Sequence, residues 1–590
     1  MSCNDTPCTV EARQGVSVLY RGRYLFSRYE PQKPLQKTLE TFTILPESLV
    51  LCLSPVLPFT VDLIREKIEK EAIPGCFILC AETDPVLYDF YIKQKQNSSP
   101  PNTPIQHSPV QKSGEKSISC PDAVCPDAAV LFKKEEEIAR LLDGEDFSPR
   151  YSGSPLPPIG FFRRVLVLEA SGAAAMYADF YKALFSYAQN SIAVFWKNRM
   201  TLVRLGRLFS RNVLKNAARI EARSASSVPL IPASLNRPIL VAGAGPSLDA
   251  LIPFIKRYAQ KLYIIAVDAA FRPLYDKGIR PDALVTVESQ VISQRSLIGA
   301  RRSGIPIIAD MCARSANLRI TEGSLSFFIS EYAKLPLLER IKKALPGLPV
   351  FPPLGSVGLA AVETALFLRA EGTSVFTCGL DFSYPAGVSH CKESPSQKEG
   401  HASSGRLMPA GNPASAFRDG AFFIEGKGGT HLACDPALHS YAELFSARYK
   451  NAANIYDLSL SGAKTGLPFL TEKEAGGLIE REAGRLPERA ADCPAEIGAA
   501  SVKREDSVKA FYIEEKKRLY TLRAALTGES PLSTEALKAL LEECSYLYIH
   551  FPDGHRGASL SQSFLNRVRS EIDIFIKDTE GATSLASLDG

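Results

Sequence analysis

At 590 residues, with 45% hydrophobic and 23% charged side chains, the chain has apolar material for several cores but no uninterrupted apolar run long enough for a membrane span. A formal charge of +5 is small for this length and argues against a general nucleic-acid binder. Thirteen Cys, an odd number without C-x-x-C pairs, do not suit a fully paired secreted scaffold, and "MSCNDTPCTVEARQG" holds no apolar signal segment. The reducing cytoplasm is the expected compartment.

Residues 1–160 read as a small α/β domain: "SLVLCLSP" and "CFILCAETDP" are short apolar runs separated by the helix-like "FTVDLIREKIEKEA". A Pro- and Ser-rich stretch at about 96–128 has no apolar period and is expected to be a mobile insertion. Residues 161–234 form a helical connector, along which Arg204, Arg207, Arg211, Lys215 and Arg219 recur at spacings of three and four and share one face. Such a stripe is either a solvated face or a contact with an acidic partner or a donor phosphate.

From 235 to 470 the apolar runs "ILVAGAG", "LYIIAVD", "ALVTVE", "IPIIAD", "LSFFIS" and "SVFTCGLDF" alternate with helical patterns such as "SLDALIPFIKRYAQ" and "GSVGLAAVETALFLRAEG". This predicts a Rossmann-like α/β domain, a mostly parallel sheet with helices on both faces. Residues 471–590 predict a C-terminal helical domain. In such sheets ligands sit beyond the carboxyl ends of the strands, so chemistry is expected there.

The turn "LVAGAGPSLDA" leaves a buried run through Gly243, Gly245 and Pro246 and enters a helix at Ser247 and Leu248. Glycines permit close approach to the backbone, Pro246 suits a first helical position, and free amides at a helix start favour an anion. Leu248 stands where a dinucleotide fingerprint has its third Gly, and no Gly-Lys-Ser/Thr follows, so neither standard phosphate motif is present. A plain strand-to-helix turn is the alternative. Asp268 and Glu288 end the next two runs, with Asp282 ahead of the second; they either accept hydrogen bonds from sugar hydroxyls or cap helices. Gly355, Ser356 and Gly358 repeat the small-residue helix start, and Gly379, Asp381, Tyr384 and His390 follow a further strand. His390 is a candidate general base, with His401, His431 and His439 as alternatives in the same region.

Taken together, "GAGPSLDALIPFI", "AVDAAFRPLYDKGIRPDALVTVE", "GSVGLAAVETALFL" and "CGLDFSYPAGVSH", followed by "IYDLSLSGAKTG", resemble the motility-associated factor (Maf) glycosyltransferases over roughly residues 160 to 470. The central domain of that family is grouped with 6-hydroxymethylpterin diphosphokinase-like proteins and is similar to bacterial CMP-sialic acid transferases. The resemblance implies that Gly243, Gly245, Pro246, Ser247 and Leu248 form the nucleotide-binding turn and that Gly355, Ser356 and Gly358 form a second donor loop. Asp268, Glu288, Gly379 and Tyr384 would complete the nucleotide-sugar site, with His390 and Asp381 as catalytic residues. Glu288 stands where the family usually has Asp, and Cys391 where a small Ala is usual.

The implied activity is inverting transfer of a nonulosonic acid of the sialic, pseudaminic or legionaminic kind from its CMP conjugate to Ser or Thr of flagellin, supporting flagellar assembly. The expected donor substrate is thus a CMP-sugar, with no cofactor; and because the central region lacks an Asp-x-Asp pair, no metal is expected. Two other readings stay open: an ATP-dependent diphosphokinase recruiting Asp268, Asp282 and Glu288 to Mg²⁺, and a non-catalytic flagellin-binding assembly factor. No feature sets an oligomeric state.

Overall fold

The computed structural model describes residues 6–98, 125–145, 149–222, 228–402, 404–407, 420–484 and 502–588. Of the expected insertion, residues 99–124 lie outside the described residues; its two ends are regular structure, in a helix Pro85–Ser98 and a strand from Asp127. The chain divides into two units, Met1–Leu202 and Val203–Gly590, with the boundary inside the helix Ala178–Ala222. Among the described residues no helix is long and apolar enough to cross a membrane.

The first unit opens with a small antiparallel sheet of β1 (Cys8–Glu11), β2 (Val16–Tyr20) and β3 (Arg23–Tyr24). Its main sheet contains β4 (Ser48–Leu53), β5 (Phe77–Glu82), β6 (Asp127–Leu131), β7 (Arg150–Gly153) and β8 (Arg164–Glu169), in the order β7-β6-β5-β4-β8. All pairs are parallel except β6 with β7. β4 and β5 are buried at every position, which is why they read as continuous apolar runs. Alternate residues feed opposite faces: Leu49, Leu51 and Leu53 join one core, Val50 and Cys52 the other.

The second unit is built on an eight-stranded sheet that is parallel throughout. Its strands are β9 (Ile239–Ala242), β10 (Tyr263–Val267), β11 (Ala283–Thr286), β12 (Ile307–Asp310), β13 (Leu325–Ser330), β14 (Val350–Phe351), β15 (Val375–Cys378) and β18 (Ile455–Asp457). The order is β14-β13-β12-β11-β10-β9-β15-β18. The hairpin of β16 (Phe422–Glu425) and β17 (His431–Cys434) lies outside it. All six predicted central runs are strands, and the predicted helices fall at Leu248–Tyr258 and Val357–Leu368. The strand order reverses between β9 and β15, which opens a crevice at their carboxyl ends.

The helical C-terminal region comprises Glu472–Ala483, Val502–Thr527, Thr534–Glu543 and Gln562–Leu588. Arg340, on the helix Pro336–Ala344, holds the fully buried Glu515 through two nitrogens at 2.9 Å each. Four of the five basic-stripe residues are engaged within this unit: Arg207 pairs with Glu571, Arg211 and Lys215 pair with Asp578, and Arg219 bonds Ser315 Oγ, while Arg204 is exposed. From Arg207 onward the stripe is therefore neither a free solvated face nor an open site for an acidic partner. Its acidic complement lies more than 350 residues further along the chain.

Candidate functional site

The Gly-Ala-Gly-Pro-Ser turn leaves β9 packed backbone to backbone against the end of β15. The Gly243 amide donates to the Cys378 carbonyl at 2.8 Å and the Gly245 amide to that of Gly379 at 2.8 Å. A Cβ on Gly243 would lie 2.3 Å from the Gly379 oxygen, and one on Gly245 would lie 2.5 Å from Asp381 Oδ2. Both glycines are thus required by the protein itself. Gly379 meets them in a left-handed conformation at φ +65°, which Gly adopts without steric cost.

This arrangement takes up part of the donor set expected to meet an anion at the first turn. The Ser247 amide donates to Asp381 Oδ2 at 2.8 Å, and the Ser247 hydroxyl bonds Asp381 Oδ1. The amides of Gly243, Gly245 and Ser247 are therefore occupied. The helix begins at Leu248 with Ser247 as its cap, so Pro246 precedes the cap rather than opening the helix.

Further free donors lie at the second loop. Leu380 is held between the two glycine loops: a Cβ on Gly243 would meet its Cδ2 at 2.6 Å, and one on Gly358 at 2.7 Å. This sets the start of the Val357–Leu368 helix beside the β9–β15 crevice. Ser356 caps that helix without a side-chain bond, and the amides of Val357, Gly358 and Leu359 have no protein acceptor among the described residues. Three orphan amides on the positive end of a helix dipole form an anion site. Gly355, at φ +67°, admits the Tyr441 ring, whose Cε1 a Cβ there would meet at 3.1 Å.

Asp268, at the end of β10, is buried, and desolvation pushes its carboxyl up to about 6 against hydrogen bonds from Thr286 Oγ1 at 3.0 Å and the Ala269 amide at 2.7 Å. Glu288 is half-buried beyond β11 and accepts the Gln290 amide at 2.9 Å. Asp282 does not join them. It precedes β11, at the amino edge of the sheet, where it holds Arg237 at 3.0 Å and the Ile264 amide at 2.8 Å.

Asp381 is also pushed up to about 6 by burial, opposed by its two bonds from Ser247. With an oxygen given to each Ser247 donor, it positions the turn. Phe382 follows at φ +49°, a strained conformation for a bulky side chain. Tyr384 is buried and pairs through its backbone with Ala433 of β17. His390 is half-buried with Nδ1 3.1 Å from Ser389 Oγ. The next two residues fix it beside the turn: the Cys391 amide bonds the Ala244 carbonyl at 2.9 Å and the Lys392 amide bonds Asp249 Oδ2 at 3.0 Å. His401, His431 and His439 are exposed. His401 lies 3.3 Å from Gln397 Nε2, His431 is paired opposite Glu425, and His439 is 3.4 Å from Glu443.

The structure adds residues from the far side of the crevice. Ser459, just past β18, lies 3.1 Å from Ser247 Oγ and accepts the Gly379 amide at 3.3 Å. Lys427 pairs with the buried Asp457, which also accepts Thr465 Oγ1 at 3.0 Å. These four line a cavity of about 380 Å³ together with Leu460, Lys464 and Phe469. Their signal in sequence is the Ser-Gly-Lys-Thr content of "LSLSGAKTG" directly after an apolar run.

Residues 211–387, the part of the chain that carries both glycine loops, match the 6-hydroxymethylpterin diphosphokinase MptE-like family. The whole chain superposes on the structure of a Maf glycosyltransferase from Magnetospirillum magneticum AMB-1, with a TM-score of 0.52 and 13% identity, covering 100% of this chain and 93% of that one. The resemblance read from the sequence is borne out at both levels: an MptE-like central domain set in a chain with the Maf fold. A protein of Treponema pallidum (strain Nichols), described as uncharacterized, is 29% identical over 581 residues, covering 97% of this chain and 94% of its own. A second uncharacterized protein of that organism is 28% identical over 126 residues, 20% of this chain and 58% of its own.

Proposed function

We propose that the protein is a glycosyltransferase that moves a nonulosonic acid from its CMP conjugate to Ser or Thr hydroxyls of flagellin in the cytoplasm. The observation that carries this reading is the clasp of Gly243 and Gly358 on Leu380, which brings three unpaired helix-start amides to the strand-order reversal in a chain with the Maf fold. Those amides meet the charge that grows on the departing CMP phosphate. A phosphate leaves without a strong general acid, so the remaining task is removal of the acceptor proton, assigned to His390 beside the turn. Attack from the face opposite the phosphate inverts the anomeric centre.

The MptE-like match brings diphosphate transfer from ATP as the second reading. That chemistry draws on carboxylates to hold Mg²⁺, and Asp282 stands at the opposite edge of the sheet from Asp268 and Glu288. The geometry favours sugar transfer.

The test is the intact mass of flagellin co-expressed with this protein and a nonulosonic-acid pathway, compared with Ser247→Ala and His390→Ala. A sugar-sized increment lost in both variants is expected. No increment with the wild-type protein, given confirmed donor supply and a matched flagellin, overturns the transferase reading and leaves diphosphate transfer or a binding role.

A further inference from the structure

The loop after β12 is fixed almost residue by residue. Asn216 Nδ2 donates to the carbonyls of Met311 at 2.9 Å and Ala313 at 2.8 Å, and Asn212 Nδ2 donates to that of Cys312 at 2.9 Å. Arg219 bonds Ser315 Oγ, and the Arg314 amide itself donates to the Glu288 carbonyl at 3.0 Å. Held on this frame, the Arg314 guanidinium has no hydrogen-bond acceptor and no ion-pair partner among the described residues, and its Nε is sealed from solvent. The neighbouring Ser289 hydroxyl, 1% exposed, is also unpartnered.

Two structural arginines show the opposite pattern. Arg340 and Arg211 are held by their charge, on Glu515 and Asp578. Arg314 is held by its backbone while its charge is left open, even though Glu288 is tied to it and turns its carboxylate to the Gln290 amide. A partly buried donor left without an acceptor is costly, so an arginine fixed this way marks a place for an anion. It stands at the carboxyl edge of the sheet, where ligands sit, beside Glu288, whose charge would otherwise repel a negatively charged donor.

We propose that Arg314 recognises an oxyanion of the activated-sugar donor, gripping a carboxylate or a phosphate through its planar fork. The assignment rests on the donor reading above. Neither the glycine loops nor His390 predicts it.

Calorimetric titration of the full chain with CMP and with CMP-N-acetylneuraminic acid, for wild type, Arg314→Met and Arg314→Lys, tests the assignment. Arg314→Met is expected to weaken binding about ten- to a hundredfold, the range of a charged hydrogen-bond pair, and Arg314→Lys to recover part of it. A loss confined to the sugar conjugate assigns the carboxylate; an equal loss on both ligands assigns the phosphate. If Arg314→Met melts well below wild type, Arg314→Lys is compared alone, because it keeps the charge and removes only the fork. Variants that bind both ligands like wild type overturn the proposal and leave the donor reading intact. Wild-type protein that binds neither ligand overturns the donor reading and the proposal with it.

Discussion

The two units use one sheet plan and finish it differently. In the first, β4, β5 and β6 run outward in sequence and β8 returns to the other side of β4; in the second, β9 to β13 run outward and β15 returns beside β9. Both orders open a crevice at the carboxyl edge. In the first unit the crevice is filled from within: Val18, Tyr20, Leu25 and Phe26 of the N-terminal meander pack on Val56, Leu57, Leu87 and Ala173. Its strand-end acids are fully engaged, Glu82 by Ser54, Tyr181 at 3.0 Å and two amides, and Asp84 by Tyr20 at 2.9 Å and Tyr177 at 2.7 Å. In the second unit the corresponding edge is lined by glycine loops with amides left open. A shared fold therefore does not confer a site; what covers the carboxyl edge decides it.

Placing a side chain on the second unit's turn breaks the comparison most severely. Gly245→Val puts a Cβ inside van der Waals contact of Asp381, so the loop must separate from β15. The expected outcome is loss of CMP binding in calorimetry and a stability loss of about 3 kcal/mol or more in denaturant titration. Wild-type affinity in that variant would remove the turn from the site.

Asp381 gives the next largest effect, through pH. Burial raises its carboxyl from 3.8 to about 6, so its contribution to stability is complete below pH 4 and is lost as pH rises through about 6. The full span is about 3 kcal/mol, of which about 2 kcal/mol falls between pH 4.5 and 8. Against Asp381→Asn, the wild-type protein is expected to lose that amount across the range in paired denaturant titrations. A pH-independent difference would mean that Asp381 is not desolvated.

In the first unit the matching test is Tyr20→Phe. It removes the donor from Asp84 and leaves that carboxylate short of a partner, for an expected cost of about 1–2 kcal/mol. Affinity for CMP is expected to be unchanged, because this edge is closed. A fall in affinity at wild-type stability would show that the first sheet also serves the ligand.

The strands were legible because both sheet faces are covered: runs such as "ILVA" and "LVLCL" are apolar at every position, and Gly and Pro punctuate their ends. The glycine spacing was legible too, but its cause was not. Gly243 and Gly245 read as openings for a ligand, whereas the groups that exclude a Cβ there are Gly379 and Asp381, 134 residues away in the case of the Ser247–Asp381 bond. The same distance in sequence hid Ser459 behind Ser247, Asp578 behind the basic stripe, and Asp84 behind Tyr20. Local pattern reports which segments are buried; it carries no record of which distant segment completes a charge or fills a crevice.

Asp282 offers the mildest test, because it separates the two edges of one sheet. It stands before the apolar run of β11 while Glu288 stands after it, and a four-residue strand spans about 13 Å, too far for both to hold one ion. Its bonds to Arg237 and the Ile264 amide are structural, so Asp282→Asn should cost about 1 kcal/mol and leave flagellin modification within about twofold of wild type. Glu288→Gln should alter sugar transfer with little change in stability. If Asp282→Asn instead abolished activity in a protein of wild-type melting temperature, the amino edge would be part of the chemistry. The carboxylates would then have to come together on a metal in another arrangement of the sheet ends, and diphosphate transfer would regain the stronger claim.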